Sequence, residues 1–151
     1  MVTEAELAYT AGIIDGEGCI GIHKTEKSAR PSQRYALIVS VTSTNEELCN
    51  WLQLRFGGCI NFWEESKRRN PKHKDRYTWV LHRRKAVQFL GLILPFLLLK
   101  KLQAENAVAF QNTFRKGRIG RQHDETTEKE LAVREACRIV ACGLNQKGVS
   151  S

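Results

Sequence analysis

The strongest constraint on this chain lies in residues 10–18, TAGIIDGEG. Residues 4–14 have the pattern of a helix, with Thr3 as N-cap and Glu6, three residues on, completing a capping box. Ala8, Gly12 and Gly16 recur every fourth residue and therefore share one face of that helix. A face without side-chain bulk lets a second backbone come close, as small residues do between membrane helices, although this helix is too polar to span a bilayer. The same spacing also suits packing on the chain's own sheet. Glu17 falls where the predicted helix ends, between Gly16 and Gly18. The helix macrodipole disfavours a carboxylate at that end, so its placement invites a functional role such as metal ligation. An exposed turn glutamate would have the same local sequence.

The segment that follows reads as a strand over 19–25, with Ile20 and Ile22 on one face and Gly21, His23 and Thr25 on the other. A polar stretch with Pro31 leads to a clearer strand over 34–42, where Tyr35, Leu37, Val39 and Val41 form an apolar face expected to lie on helices. A helix is predicted next, capped by Ser43 or Thr44, with Glu46 and Glu47 in its first turn. Leu48, Trp51, Leu52 and Phe56 form its buried face, and Gly57 and Gly58 end it. Strands over 59–64 and 76–82 flank a basic loop, and a helix spans 84–94 with Val87, Leu90 and Leu94 at buried spacing. Pro95 closes that helix and opens another, running through Leu99, Leu102, Ala107 and Phe110 to about 114. After a basic linker at 115–121, Thr127 and Glu130 form a capping box for a final helix ending near Gly143. Such an order specifies one α+β domain over 1–151, with a core at about 6–114 and an antiparallel four-stranded sheet covered by helices on one face. The facing of Tyr77 and Trp79 is not decided by strand parity.

A chain of 151 residues suits one domain with a real core. Its 24 Lys and Arg against 16 Asp and Glu, a net charge of +8, favour a polyanionic partner such as nucleic acid. Cysteines at 19, 49, 59, 137 and 142 are odd in number and form no Cys-x-x-Cys pair, which argues against a disulfide scaffold or zinc site and for an intracellular, reducing compartment. The apolar run at 89–99 is interrupted by Pro95 and is too short to cross a membrane, so it is expected as buried helix in a soluble protein.

Residues 10–18 resemble the signature of the LAGLIDADG homing endonucleases, with Ala11, Gly12, Ile14, Asp15 and Gly18 identical and Ile13, Gly16 and Glu17 conservative replacements. Thr10 departs, since the signature has leucine there. Leu94-Pro95-Phe96-Leu97, followed by Lys100 and Gln103-Ala104, is similar to the family's second conserved segment, and Tyr77-Thr78-Trp79 precedes it at the expected distance. The resemblance runs over roughly 6–114 and implies an αββαββα core with additional C-terminal helices.

What the resemblance implies can be stated residue by residue. The acidic residue at the helix base, here Glu17, would bind a divalent ion with the Gly16 backbone carbonyl. That ion would be Mg²⁺, or Mn²⁺ or Ca²⁺ at the same site, with no small-molecule cofactor. Lys100 would stabilise charge at a scissile phosphate or position water, while Asp15 is expected to be structural. One motif per chain implies a homodimer whose seam contains Ala8, Gly12, Ile13 and Gly16, reading a near-palindromic duplex. The open sheet face would meet double-stranded DNA through His23, Thr25, Lys27, Arg34, Ser40 and Asn61. Lys67, Arg68, Arg69, Lys72, Lys74 and Arg76 would serve near the ends of the site. Where the family carries an assisting glutamine and arginine, this chain has Ser43 and Glu47. The implied activity is metal-dependent phosphodiester hydrolysis; the alternative is a weak or inactive nucleic-acid-binding protein on the same fold, such as a maturase or a DNA-binding regulator.

Overall fold

The computed structural model describes residues 1–25, 34–65, 74–114 and 128–146. Helix α1 (Glu4–Glu17) leads into strand β1 (Gly18–Lys24), then β2 (Tyr35–Ser43), α2 (Glu46–Phe56), β3 (Cys59–Trp63), β4 (Arg76–His82) and α3 (Arg83–Ile93). A 3-10 turn at Leu94–Phe96, α4 (Lys101–Gln111) and α5 (Glu128–Asn145) complete the described chain. The four strands form one antiparallel sheet in the order β1-β2-β4-β3. Expected and observed architecture therefore agree.

Strand β2 sits inside the sheet, and its alternation sets the two faces. Tyr35, Leu37, Val39 and Val41 are buried against the helices with Ile20, Ile22, Trp79 and Leu81. In register with them, Cys19, His23, Ser40, Thr42, Asn61, Trp63, Arg76 and Thr78 take the opposite face. Trp79 is fully buried and donates its indole N–H to the Gly57 carbonyl at 2.7 Å, while Tyr77 is half-buried on the same helix-covered face. Both are core-side residues. Gly58 is obligatory at its turn: φ is +95°, and a Cβ there would lie 2.5 Å from the Val80 carbonyl oxygen.

Among the boundaries that differ from the sequence expectation, those beside the Asp15–Lys100 contact have a tertiary cause and that of α2 a local side-chain cap. Helix α1 continues through Glu17, three residues beyond the expected 14, because its final carbonyls find partners outside the helix. The cap of α2 is Asn45, whose side chain accepts the N–H groups of Glu47 and Leu48, while Ser43 extends β2. Finally, no α-helix begins at Pro95, which falls inside the 3-10 turn instead. The apolar run expected as buried helix ends α3 at Ile93, and Leu98 and Leu99 are 86% and 75% exposed in the irregular stretch before α4. Ala86, Phe89, Leu90 and Ile93 form the buried face of α3, with Val87 and Leu94 only half-buried.

Helix α5 packs on α4 and on β1, as its contacts and hydrogen bonds show. Asn106 and Gln103 donate to the Cys137 and Leu144 carbonyls, and Asn145 donates to that of Ile20. Midway along α5, Glu135 accepts from the Tyr35 hydroxyl and from Arg138, with the Lys24 ammonium 3.5 Å away. Hydrogen bonds from Arg138 and then Tyr35 hold the Glu135 carboxyl down at about 2. A carboxylate with a lowered folded pKa stabilises above its unfolded pKa, and that contribution fades as pH falls toward about 2. Glu135→Gln is therefore expected to lower stability by roughly 1–3 kcal/mol at neutral pH, the scale of hydrogen bonds to a charged group. Denaturant titrations of both proteins should converge as pH is lowered; a gap that persists unchanged at pH near 2 would contradict this origin.

Candidate functional site

The C-terminal turn of α1, the start of β1 and the segment before α4 meet at one point. Asp15 turns its carboxylate toward that segment and accepts the backbone N–H groups of Leu98, Leu99 and Lys100 at 2.8, 3.1 and 2.9 Å. It satisfies donors at the entry to α4 that no earlier residue of the segment caps. Lys100 answers in the other direction. Its ammonium donates to the Ile14 carbonyl at 2.8 Å and to that of Gly18, so a cation lies at the negative end of α1. Burial holds Lys100 below the ordinary lysine range, partly offset by the neighbouring Cys19 thiol and Asp15 carboxylate. Asp15 has the structural role expected of it.

Asp15→Asn keeps the shape but surrenders the charge and one acceptor, since an amide has a single carbonyl oxygen. It should cost roughly 2–4 kcal/mol of unfolding free energy, because charge-assisted bonds to backbone N–H groups are lost. A thermal or urea unfolding midpoint equal to that of the wild type would contradict the role assigned to Asp15.

Gly18 is required by close packing: a Cβ there would lie 2.7 Å from the Ile14 Cα, where β1 leaves directly from the helix end. Gly12 and Gly16 have the opposite character. A Cβ at either would meet nothing within 4 Å, and both glycines are exposed with Ala8 on one face of α1. Their small size is therefore not needed to pack this chain on itself. The face forms the floor of a shallow groove of about 510 Å³, lined by Ala8, Tyr9, Gly12, Ile13, Gly16, Glu17 and Leu48. Ile13 is half-buried and packs inward on the core as well as bordering the groove. Tyr9, 60% exposed and set edge-on to Trp51, is an apolar wall residue without a role in the sequence expectation, and Leu48, expected on the buried face of α2, is half-buried and borders the groove too.

Glu17 lies at the rim of this groove, exposed, and its carboxylate has no hydrogen bond or ion pair among the described residues. The oxygen donors available there, a carboxylate and main-chain carbonyls at a helix C-terminus, suit a hard divalent cation. No group of three or more His, Cys, Asp or Glu among the described residues is arranged to hold a metal. Glu17 is thus the one exposed carboxylate lining this groove among the described residues.

The expected DNA-facing residues divide into those the structure describes and those it does not. His23, Thr25, Ser40, Asn61 and Arg76 lie on the open face or its continuation, with His23 and Asn61 exposed and Ser40 partly so. Arg34 is half-buried, and its Nε is buried with no hydrogen-bond partner among the described groups. Lys74 is exposed just before β4. Lys27, Lys67, Arg68, Arg69 and Lys72 lie outside the described residues, as does Thr127. Ser43 donates no support toward Glu17; its hydroxyl oxygen accepts the Asn45 N–H. Glu47 is exposed in the first turn of α2.

Thr10, the one departure from the signature, has a local explanation. It is fully buried, and its hydroxyl donates to the Glu6 carbonyl one turn earlier at 2.6 Å. Thr10 can therefore fill an apolar position without leaving a polar atom unsatisfied.

The fold is the one seen in solved LAGLIDADG homing endonucleases, and the chain resembles those with one motif per chain. Comparison with solved structures finds this fold in I-CvuI, a homing endonuclease described in complex with its target in the presence of Ca; the TM-score is 0.72 at 17% identity, covering 97% of this chain and 85% of that one. The archaeal intron-encoded homing endonuclease I-Vdi141I, described in complex with DNA, matches with a TM-score of 0.73 at 18% identity over 96% of this chain and 87% of its own. The LAGLIDADG homing endonuclease I-GzeII, also described with its DNA target, matches at 0.61 and 15% identity, with 87% of this chain covering 43% of that longer chain. No family model and no curated protein matches the sequence.

Proposed function

We propose that this protein is a homodimeric, divalent-metal-dependent DNA endonuclease of the homing type, cutting both strands of a long, near-palindromic site. The single observation that carries the reading is the exposed Cβ-poor face of α1, ending in the Glu17 carboxylate, which has no partner among the described residues. Packing two such faces together brings two carboxylates to one axis and completes a ligand set that one chain lacks. Two close carboxylates repel, so each favours a cation between them. The net charge of +8 and the DNA described with I-CvuI and I-Vdi141I support a duplex as partner. Five free thiols suit a reducing compartment.

A bound divalent cation supplies water activation and charge neutralisation at the leaving 3′ oxygen. The chain's own residues do the positioning. Glu17 and the Gly16 carbonyl present oxygen ligands from the last turn of α1. Lys100 clamps that turn through Ile14 and Gly18 and keeps positive charge beneath it. Asp15 fixes the turn to the segment carrying Lys100, so the two motifs act as one unit.

The second reading, a binding protein on this fold, is favoured by Ser43 and Glu47, neither of which offers a positive or amide group to a phosphate. Incubating the chain with a pool of randomised duplexes, with Mg²⁺ or with a chelator, separates the two. Specific retention with Mg²⁺-dependent breaks is expected; specific retention without breaks would replace the nuclease by the binding protein.

A further inference from the structure

Trp63 occupies a position that the core does not explain. It is 49% exposed at the end of β3, on the open sheet face, whereas Trp79 is fully buried and Trp51 packs between Tyr9 and Phe56. Its neighbour Phe62 turns to the other face and meets Tyr77 with ring centroids 5.1 Å apart. Trp63 makes no ring contact, cation contact or side-chain hydrogen bond among the described residues. Its register partner across the ladder is Arg76, whose guanidinium is paired with Glu65. The same end of the sheet is tied by the Glu65 N–H to Asp75, and Lys74 follows immediately, exposed. A large apolar ring is thus displayed among charges of both signs, Arg76 and Lys74 with Glu65 and Asp75, on a face that continues through the Asn61–Thr78 pair.

We propose that Trp63 is a specificity-determining residue that packs on an apolar base edge, the C5 methyl of a thymine, in the major groove of each half-site. This rests on the duplex-binding reading above. The chain's net charge of +8 argues for DNA over a protein partner, and an isolated tryptophan among charged groups gives little area for a dry protein interface. The thymine methyl is the apolar group that the major groove presents among its hydrogen-bonding edges, and Trp63 has an apolar surface to cover it. Arg76, steered by Glu65, stands ready for an adjacent acceptor or phosphate.

The test begins with duplexes selected by the wild-type chain from a randomised pool in Ca²⁺. Selected sites are expected to carry a thymine at symmetric positions in the two half-sites. Replacing those thymines by uracil removes only the methyl and should weaken wild-type binding about fourfold per half-site, the scale of one buried carbon. Trp63→Ala should bind thymine and uracil duplexes equally and lose the thymine preference, while Trp63→Phe retains part of it. DNA-induced quenching of tryptophan fluorescence should fall in Trp63→Phe although binding persists. Equal thymine and uracil affinities for the wild type, an unchanged preference in Trp63→Ala, or loss of self-association in place of base preference would each overturn the assignment. Failure of the wild type to retain any duplex would overturn the duplex-binding reading itself, and this inference with it.

Discussion

Replacing Gly12 by leucine is expected to leave the folded chain intact and to abolish its pairing. The two effects should separate because Gly12 has nothing within 4 Å of an added Cβ in the single chain. Leucine at an exposed mid-helix position should even stabilise the monomer by up to about 0.8 kcal/mol over glycine. In a two-fold dimer the same substitution appears twice at the seam, where overpacking costs roughly 1–3 kcal/mol each time. A loss of roughly 2–6 kcal/mol then weakens association by at least about 30-fold. Sedimentation should show a monomer at concentrations where the wild type is dimeric, with an unchanged or higher melting temperature. A dimer of wild-type affinity would remove Ala8, Gly12 and Gly16 from the seam. A collapse in melting temperature would instead mean that the face is used within the chain.

The second large effect belongs to Glu17→Gln. Glutamine keeps the volume and one oxygen but removes the charge that a divalent cation requires. Glu17 makes no hydrogen bond or ion pair among the described residues, so the fold should be untouched and the melting temperature equal to that of the wild type. Cleavage should fall by more than roughly 10²-fold, the scale of removing one group that stabilises the transition state. Duplex binding in Ca²⁺ should survive, because the sheet and its cations are unchanged. Unchanged cleavage would sink Glu17 as the metal ligand, while parallel loss of binding and stability would make it structural.

The two substitutions address different parts of one motif, and the sequence disclosed those parts unequally. The face of α1 was legible because spacing by four residues is a property of any helix. Its emptiness was not, since only the packed chain reveals that nothing else covers Gly12 and Gly16. Strand β2 could be read to its faces because alternation of period two survives in the folded sheet. By contrast, the end of α1 and the start of α4 depend on each other through Asp15 and Lys100, residues separated by 85 positions. Glycine and proline propensities pointed to a helix ending at 14 and another starting at 95; a carboxylate and an ammonium acting across the fold decided otherwise. Thr10 was the least explained letter for a related reason, because its hydroxyl is satisfied by a carbonyl that the sequence cannot show as available. Trp63 escaped notice since an aromatic in a strand is ordinarily core, and only the register with Arg76 puts it on the open face.

The most direct measurement of the central claim is the mapping of DNA ends produced by the wild-type chain. A randomised duplex pool is exposed to the protein in Mg²⁺, and both strands of every cut molecule are sequenced to their termini. A dimer that brings two Glu17 carboxylates to one axis predicts one break in each strand, symmetrically placed about the centre of a near-palindromic site, and none with a chelator. Intact duplexes that are nevertheless selectively retained, or breaks without two-fold symmetry, would contradict it.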